Sequence, residues 1–240
     1  MKNITALTLS LLIAGPASAS AAVTSAEVVV NLYEMQIKPG KNQQYDAAAR
    51  DNISRSLREQ PGTLAIYSLK HQENSHQAYM IEIYANREAY QQHLDAEPYH
   101  IFIKQAPDLI DHKKHTALVP QFLGDKAFVQ NRETINNLVI VDVKPADRQA
   151  FRTIVLPEMA ESLKVEPGVL AMYAATGANN PHRWYFYEIY ASEAAYQQHR
   201  ETIHFRDYIR QTANMTVRKE AIPVVPVLLK SRGTFHTAVN

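Results

Sequence analysis

Ten histidines, thirteen tyrosines and no cysteine bound the chemistry open to this 240-residue chain. Without a thiol there is no cysteine nucleophile, no Cys-ligated zinc or iron–sulfur centre and no disulfide framework. Proton transfer then falls first to histidine, whose ordinary pKa lies near neutrality. His93 and His199 each end the same five residues, Ala-Tyr-Gln-Gln-His. Tyr90 and Tyr196 stand three positions earlier, on the same face of a helix. His204 follows His199 and precedes Phe205. Tyr84, Tyr190, Tyr67, Tyr173 and Trp184 have side chains that can stack on, or hydrogen-bond, a flat ring. Glu82 and Glu188 sit among apolar strand residues and read as buried carboxylates that accept hydrogen bonds.

The spacing predicts no metal site. His112 and His115 flank Lys113 and Lys114, which repel a cation, and His199 and His204 are five apart rather than at the i,i+4 spacing of ligands on one helix. Seven glycines leave no Walker loop and no Rossmann pattern, and nothing marks a flavin or nicotinamide site.

The elements that must hold these residues come twice. Glu82-Ile83-Tyr84-Ala85 recurs at 188–191, Pro61-Gly62 at 167–168 and Lys38-Pro39 at 144–145, all at an offset of 106. Roughly a third of positions in 38–113 are identical in the second copy, without a gap. Each copy reads strand–helix–strand–strand–helix–strand. Tyr33, Met35 and Ile37 alternate with polar residues, as do Val139, Val141 and Val143, the period of a half-buried strand. Tyr45, Ala48, Ala49, Ile53 and Leu57 recur at helical spacing, as do Phe151, Ile154, Val155, Met159 and Leu163. Pro-Gly reads as the stop of that helix. Asn86 and Ser192 read as caps of the second helix. Fourth strands are expected at 115–123 and 221–229. An antiparallel sheet with helices on one face leaves the other bare, so the two copies are expected to pack sheet against sheet. The expected boundaries are 27–123 and 137–232, joined by a linker at 124–136.

Residues 1–21 read as a signal peptide: Lys2, an uncharged apolar run to Gly15, then small residues fitting cleavage after Ala19 or Ala21. This predicts a periplasmic or secreted protein with no membrane span after leader removal. The net charge of +1 argues against a nucleic-acid binder.

Glu166-Pro167-Gly168-Val169-Leu170-Ala171-Met172-Tyr173, the run from Tyr185 to His199 and the pair His204-Phe205 resemble the antibiotic biosynthesis monooxygenase family. The first copy matches up to His93, then has Pro98-Tyr99 in place of His-Phe. The resemblance implies an α+β fold: ferredoxin-like βαββαβ units, two tandem copies pairing their sheets into a pseudo-dimeric α+β barrel, with a pocket between sheet and helices. It implies activities ranging from cofactor-free oxygenation of quinols and phenols to haem degradation and isomerisation. Its haem-degrading members use an Asn, a Trp and a His at positions that fall near Tyr33 or Val139, at His93 or His199, and at Ile103 or Ile209 here, so that triad is absent. The expected partners are a small aromatic substrate and molecular oxygen, with no cofactor. His199, His93 and His204 are the candidate catalytic groups; Tyr190, Tyr84, Trp184, Tyr173 and Tyr67 are the candidate substrate contacts. Trp184, His204 and Phe205 face Ala78, Pro98 and Tyr99 of the first copy, which points to the second copy as the working one. Further association of pseudo-dimers and a non-catalytic receptor role stay open.

Overall fold

The structure, a computed structural model, describes residues 27–233; the expected leader lies outside them. The first copy comprises β1 (Val29–Ile37), α1 (Asn42–Glu59), β2 (Thr63–His71), β3 (Gln77–Tyr84), α2 (Arg87–Asp95), α3 (Glu97–Leu109) and β4 (Ile110–Asp125). The second comprises β5 (Ile135–Val143), α4 (Arg148–Val165), β6 (Val169–Gly177), β7 (Asn180–Tyr190), α5 (Glu193–Glu201), α6 (Ile203–Thr212), β8 (Thr216–Ile222) and β9 (Val224–Ser231). The ferredoxin-like unit is therefore present twice.

All strands form one antiparallel sheet in the order β8-β5-β7-β6-β4-β1-β3-β2-β9. Each copy lends its last strand to the other. β4 pairs with β1 up to Leu118, then with β6 from Leu118 to Asp125. In the second copy β8 pairs with β5, and β9 crosses to β2. Pro223, which has no N–H to give a ladder, separates β8 from β9; Ala117 at the same repeat position lets β4 run unbroken. The two ends of the strand order are thus successive lengths of one chain segment, and the sheet closes into a barrel. The fourth strands are longer than the sequence suggests because each spans both copies.

The inner faces share one core. Val30, Leu32, Tyr67 and Ile81 pack with Leu138, Tyr173, Tyr187 and Ile189. Near the pseudo-twofold axis the Tyr67 and Tyr173 hydroxyls are 2.7 Å apart. Asp125 Oδ2 accepts from Tyr173, at 3.1 Å, and from Ser231 Oγ. On the outside, α1 buries Tyr45, Ala49 and Ile53 against Met35 and Ile66. Likewise α4 buries Phe151, Val155 and Met159 against Val141, Met172 and Trp184.

The second helix of each copy is two helices. Ala96 and Thr202 are extended between them, and the Thr202 side chain accepts from the Phe205 N–H to start α6. Both first helices end directly before Pro-Gly, with Gln60 and Glu166 as extended C-caps, as the sequence suggests, although neither Gly62 nor Gly168 takes a left-handed conformation. A Cβ on Gly62 would lie 2.4 Å from Ala89 Cβ, and one on Gly168 2.4 Å from Ala195 Cβ. The glycines are there so that α2 and α5, which carry the two histidines, can sit down on the sheet. Gly168→Ala is accordingly expected to cost about 1–3 kcal/mol by overpacking, read in denaturant melts; a melt superimposable on wild type would show that α5 is not held this closely.

Candidate active site

The second copy gathers four ionisable side chains from three helices and a helix end. Glu158 and Ser162 are four apart on α4, and Glu166 follows one step further as its C-cap. Ser162 Oγ donates to Glu158 Oε1 at 2.8 Å. His199, in the last turn of α5, is 1% exposed, and its Nδ1 donates to Glu166 Oε1 at 3.0 Å. His204, on α6, donates from Nε2 to the same oxygen at 2.6 Å. One ligand-capable atom from each of Glu158, His199 and His204 lies within 4.8 Å of the others. This overturns the spacing argument against a cluster. Five residues along an unbroken helix turn a side chain about 140° away. The break at Thr202 brings the rings back to 6.4 Å between centroids.

A cavity of about 90 Å³ lies between this cluster and the sheet, several times the space one water needs. Glu158, Glu188, Tyr196, Phe205, Tyr208 and Phe186 border it. The His199 ring stands behind Phe205, at 4.6 Å between centroids.

In the first copy the same positions are neutral or filled. Asn52 and Gln60 replace Glu158 and Glu166, Pro98 replaces His204, and Ser56 keeps the hydroxyl of Ser162. His93, fully buried, gives Nδ1 to Gln60 Oε1 at 2.9 Å, and its Nε2 has no hydrogen-bond partner among the described residues. Where the second copy has Val139 and Ala221, the first has Tyr33 and His115, stacked at 4.8 Å. The Tyr33 hydroxyl reaches that of Tyr90 at 3.3 Å. These rings take the space that the second copy leaves open.

Of the remaining candidates, Tyr84 and Tyr190 donate to Glu82 and Glu188 at 2.9 Å and pack on His93 and His199. The carboxylates are satisfied as expected. Tyr67 and Tyr173 do not reach the cavity, because inner-face residues of β2 and β6 point into the barrel. Trp184 faces the helices but is held between Phe151 and Phe186; it edges a different cleft, beside Arg148 and Gln121. Glu158 and Glu166 were not singled out from sequence. The signal was present: at both positions the repeat exchanges an acid for an amide, Gln60 at full length and Asn52 one methylene shorter.

The antibiotic biosynthesis monooxygenase family model matches residues 28–105 and 135–211, most of both copies. The chain belongs to this family. Among solved structures, a candidate monooxygenase from Lactobacillus acidophilus NCFM is 27% identical, with a TM-score of 0.84 over 88% of this chain and 100% of that one. One from Fusobacterium nucleatum is 24% identical, also with a TM-score of 0.84, over 88% and 97%. An anthrone oxidase-like protein shares the fold at 12% identity and a TM-score of 0.55, over 90% and 98%. No curated protein matches the chain.

Charge separates the two copies of this family member. Burial pushes Glu158 up to about 8, helped by Glu188 and Glu166 and opposed by the Ser162 hydrogen bond. Burial also raises Glu166, but the hydrogen bonds from His199 and His204 outweigh it and hold that carboxyl below its usual range. In the first copy burial alone lowers His93 to about 4. Burial raises Glu82 to about 7, against the Tyr84 hydrogen bond and Lys113. The sign for Glu82 follows directly. Below pH 4.5 the carboxyl is protonated in both folded and unfolded chains. From there to about 7 the unfolded chain loses its proton first, so stability falls as pH rises. Glu82→Gln removes that loss. The variant is expected to gain on wild type across this window, by up to about 3 kcal/mol; parallel pH–stability curves would show that Glu82 is not so buried.

Proposed function

We propose that the protein is a cofactor-independent monooxygenase acting on a small quinol or phenol in the cavity of the second copy. One observation carries this reading: a cavity walled by aromatic rings and the Glu158 carboxyl in one copy, against Tyr33, His115 and Asn52 at the same place in the other. Glu158 is the general base at the cavity wall. His199, His204 and Glu166 position α5 and α6 around it. Deprotonation makes the ring electron-rich enough to reduce oxygen, and the aromatic part of the wall, Phe186, Phe205 and Tyr208, limits the water that reaches the anion. One oxygen atom enters the ring and the other leaves as water. The quinol itself supplies the electrons and becomes a hydroxyquinone. A receptor reading would be favoured by second-helix histidines turned to solvent; His93 and His199 are both buried.

Oxygen uptake is measured with a hydroquinone panel on chelator-treated protein. Wild type is expected to exceed the uncatalysed rate. Glu158→Gln loses about 100-fold, His199→Ala about 10-fold through positioning, and His93→Ala less than about 2-fold, since it lies in the filled copy. No uptake for any quinol would sink the proposal; equal losses at His93 and His199 would sink the asymmetry.

Export is part of the same proposal, and the order of basic, apolar and small residues at the N-terminus supports it. Mature protein from a periplasmic fraction is expected to begin at Ser20 or Ala22; an N-terminus at Met1 there, or recovery only from the cytoplasm, would contradict it.

A further inference from the structure

We propose that Glu158, His199 and His204 form a binding site for one divalent transition-metal cation, with zinc the best chemical match. The inference goes beyond the oxygenase reading and does not need it. Two imidazole nitrogens and one carboxylate oxygen, with a fourth position open, are a donor set zinc takes readily. The candidate atoms already lie within 4.8 Å of one another, so closing onto a shared ion requires side-chain shifts rather than a new fold.

A second, independent observation points the same way. Glu166 Oε1 accepts from His199 Nδ1 at 3.0 Å and from His204 Nε2 at 2.6 Å, so both rings aim a nitrogen at one point. A cation there takes the place of the two ring N–H protons, and Glu166 becomes a further carboxylate donor. Ser162 fixes Glu158 in turn, at 2.8 Å.

The first copy is an internal control. It keeps the histidine, His93, but carries Asn52, Gln60 and Pro98 at the other three positions. An amide, an amide and a proline cannot complete the site. The three changes act together on one donor set, whereas the hydroxyl between them, Ser56 or Ser162, is retained.

The test is a titration of the chelator-stripped full chain with Zn²⁺ by calorimetry, and with Co²⁺ by its visible absorption. The expected result is one saturable site per chain, with the absorption of a low-coordinate Co²⁺ centre. His204→Ala and Glu158→Gln should each weaken binding more than about 100-fold, and Glu166→Gln about 10–100-fold. His93→Ala and His112→Ala should leave it unchanged. Glu158→Gln places at this position the kind of amide the first copy already tolerates, so it decides the matter should His204→Ala fail to fold. Absence of saturable binding, or binding that survives Glu158→Gln, overturns the proposal. Metal binding is read without turnover. A chain that binds Zn²⁺ but consumes no oxygen sinks the oxygenase reading alone, and the reverse result sinks the metal site alone.

Discussion

The inner face of each four-stranded sheet has to be covered, and only the other copy can cover it. Val30, Leu32, Tyr67 and Ile81 on one side meet Leu138, Tyr173, Tyr187 and Ile189 on the other. Burying such side chains is worth roughly 1.5–3 kcal/mol each, so neither copy's fold is separable from its partner's. The exchange of final strands follows from the same need. β4 and β9 tie each sheet to the other by backbone hydrogen bonds, and covalent fusion keeps the effective concentration of the two halves high. With the inner faces committed to each other, the outer faces become the ones that take helices and, between helix and sheet, a cavity.

Two copies on one scaffold make a comparison that most proteins do not offer. The frames agree closely: the same glycine contact seats the second-helix histidine, at Gly62 on Ala89 and at Gly168 on Ala195. The same tyrosine-to-glutamate bond lies beneath it in both copies. What differs is charge and volume. Glu158, Glu166 and His204 face Asn52, Gln60 and Pro98, while Val139 and Ala221 face Tyr33 and His115. A buried carboxylate is costly unless it is paired. The acids of the second copy are kept with histidine and serine partners, and the first copy has relieved that cost by amidation.

Much of this was legible in the chain. The offset repeat, the alternating strands and the amphipathic first helices specify the barrel, because periodicity reports which face is buried. The second-helix histidines were legible as a pair, and their burial follows from the apolar frame around them. Three things were not. The break at Thr202 depends on a side-chain cap that competes with continuation of the helix, so the approach of His204 to His199 could not be read from spacing. Tyr67 and Tyr173 have the same composition cue as true wall residues, and only strand register decides which side of the sheet they face; Trp184 faces the helices but is packed between Phe151 and Phe186. Glu158 was hidden because one acid on an amphipathic helix resembles any solvated charge until its depth is known.

The Asp125 carboxylate near the pseudo-twofold axis carries a further meaning. In a dimer of identical chains, a residue beside the axis is answered by its own copy. Asp125 would then face a second aspartate in a buried site, a like-charge pair that the interior opposes. In this chain the answering residue is Ser231, which donates a hydrogen bond to it. The two halves have thus become lock and key rather than mirror images. Severed from one another, two first halves that regrouped would bring two such carboxyls together and force one of them to take up a proton; the tandem arrangement supplies a hydroxyl there instead.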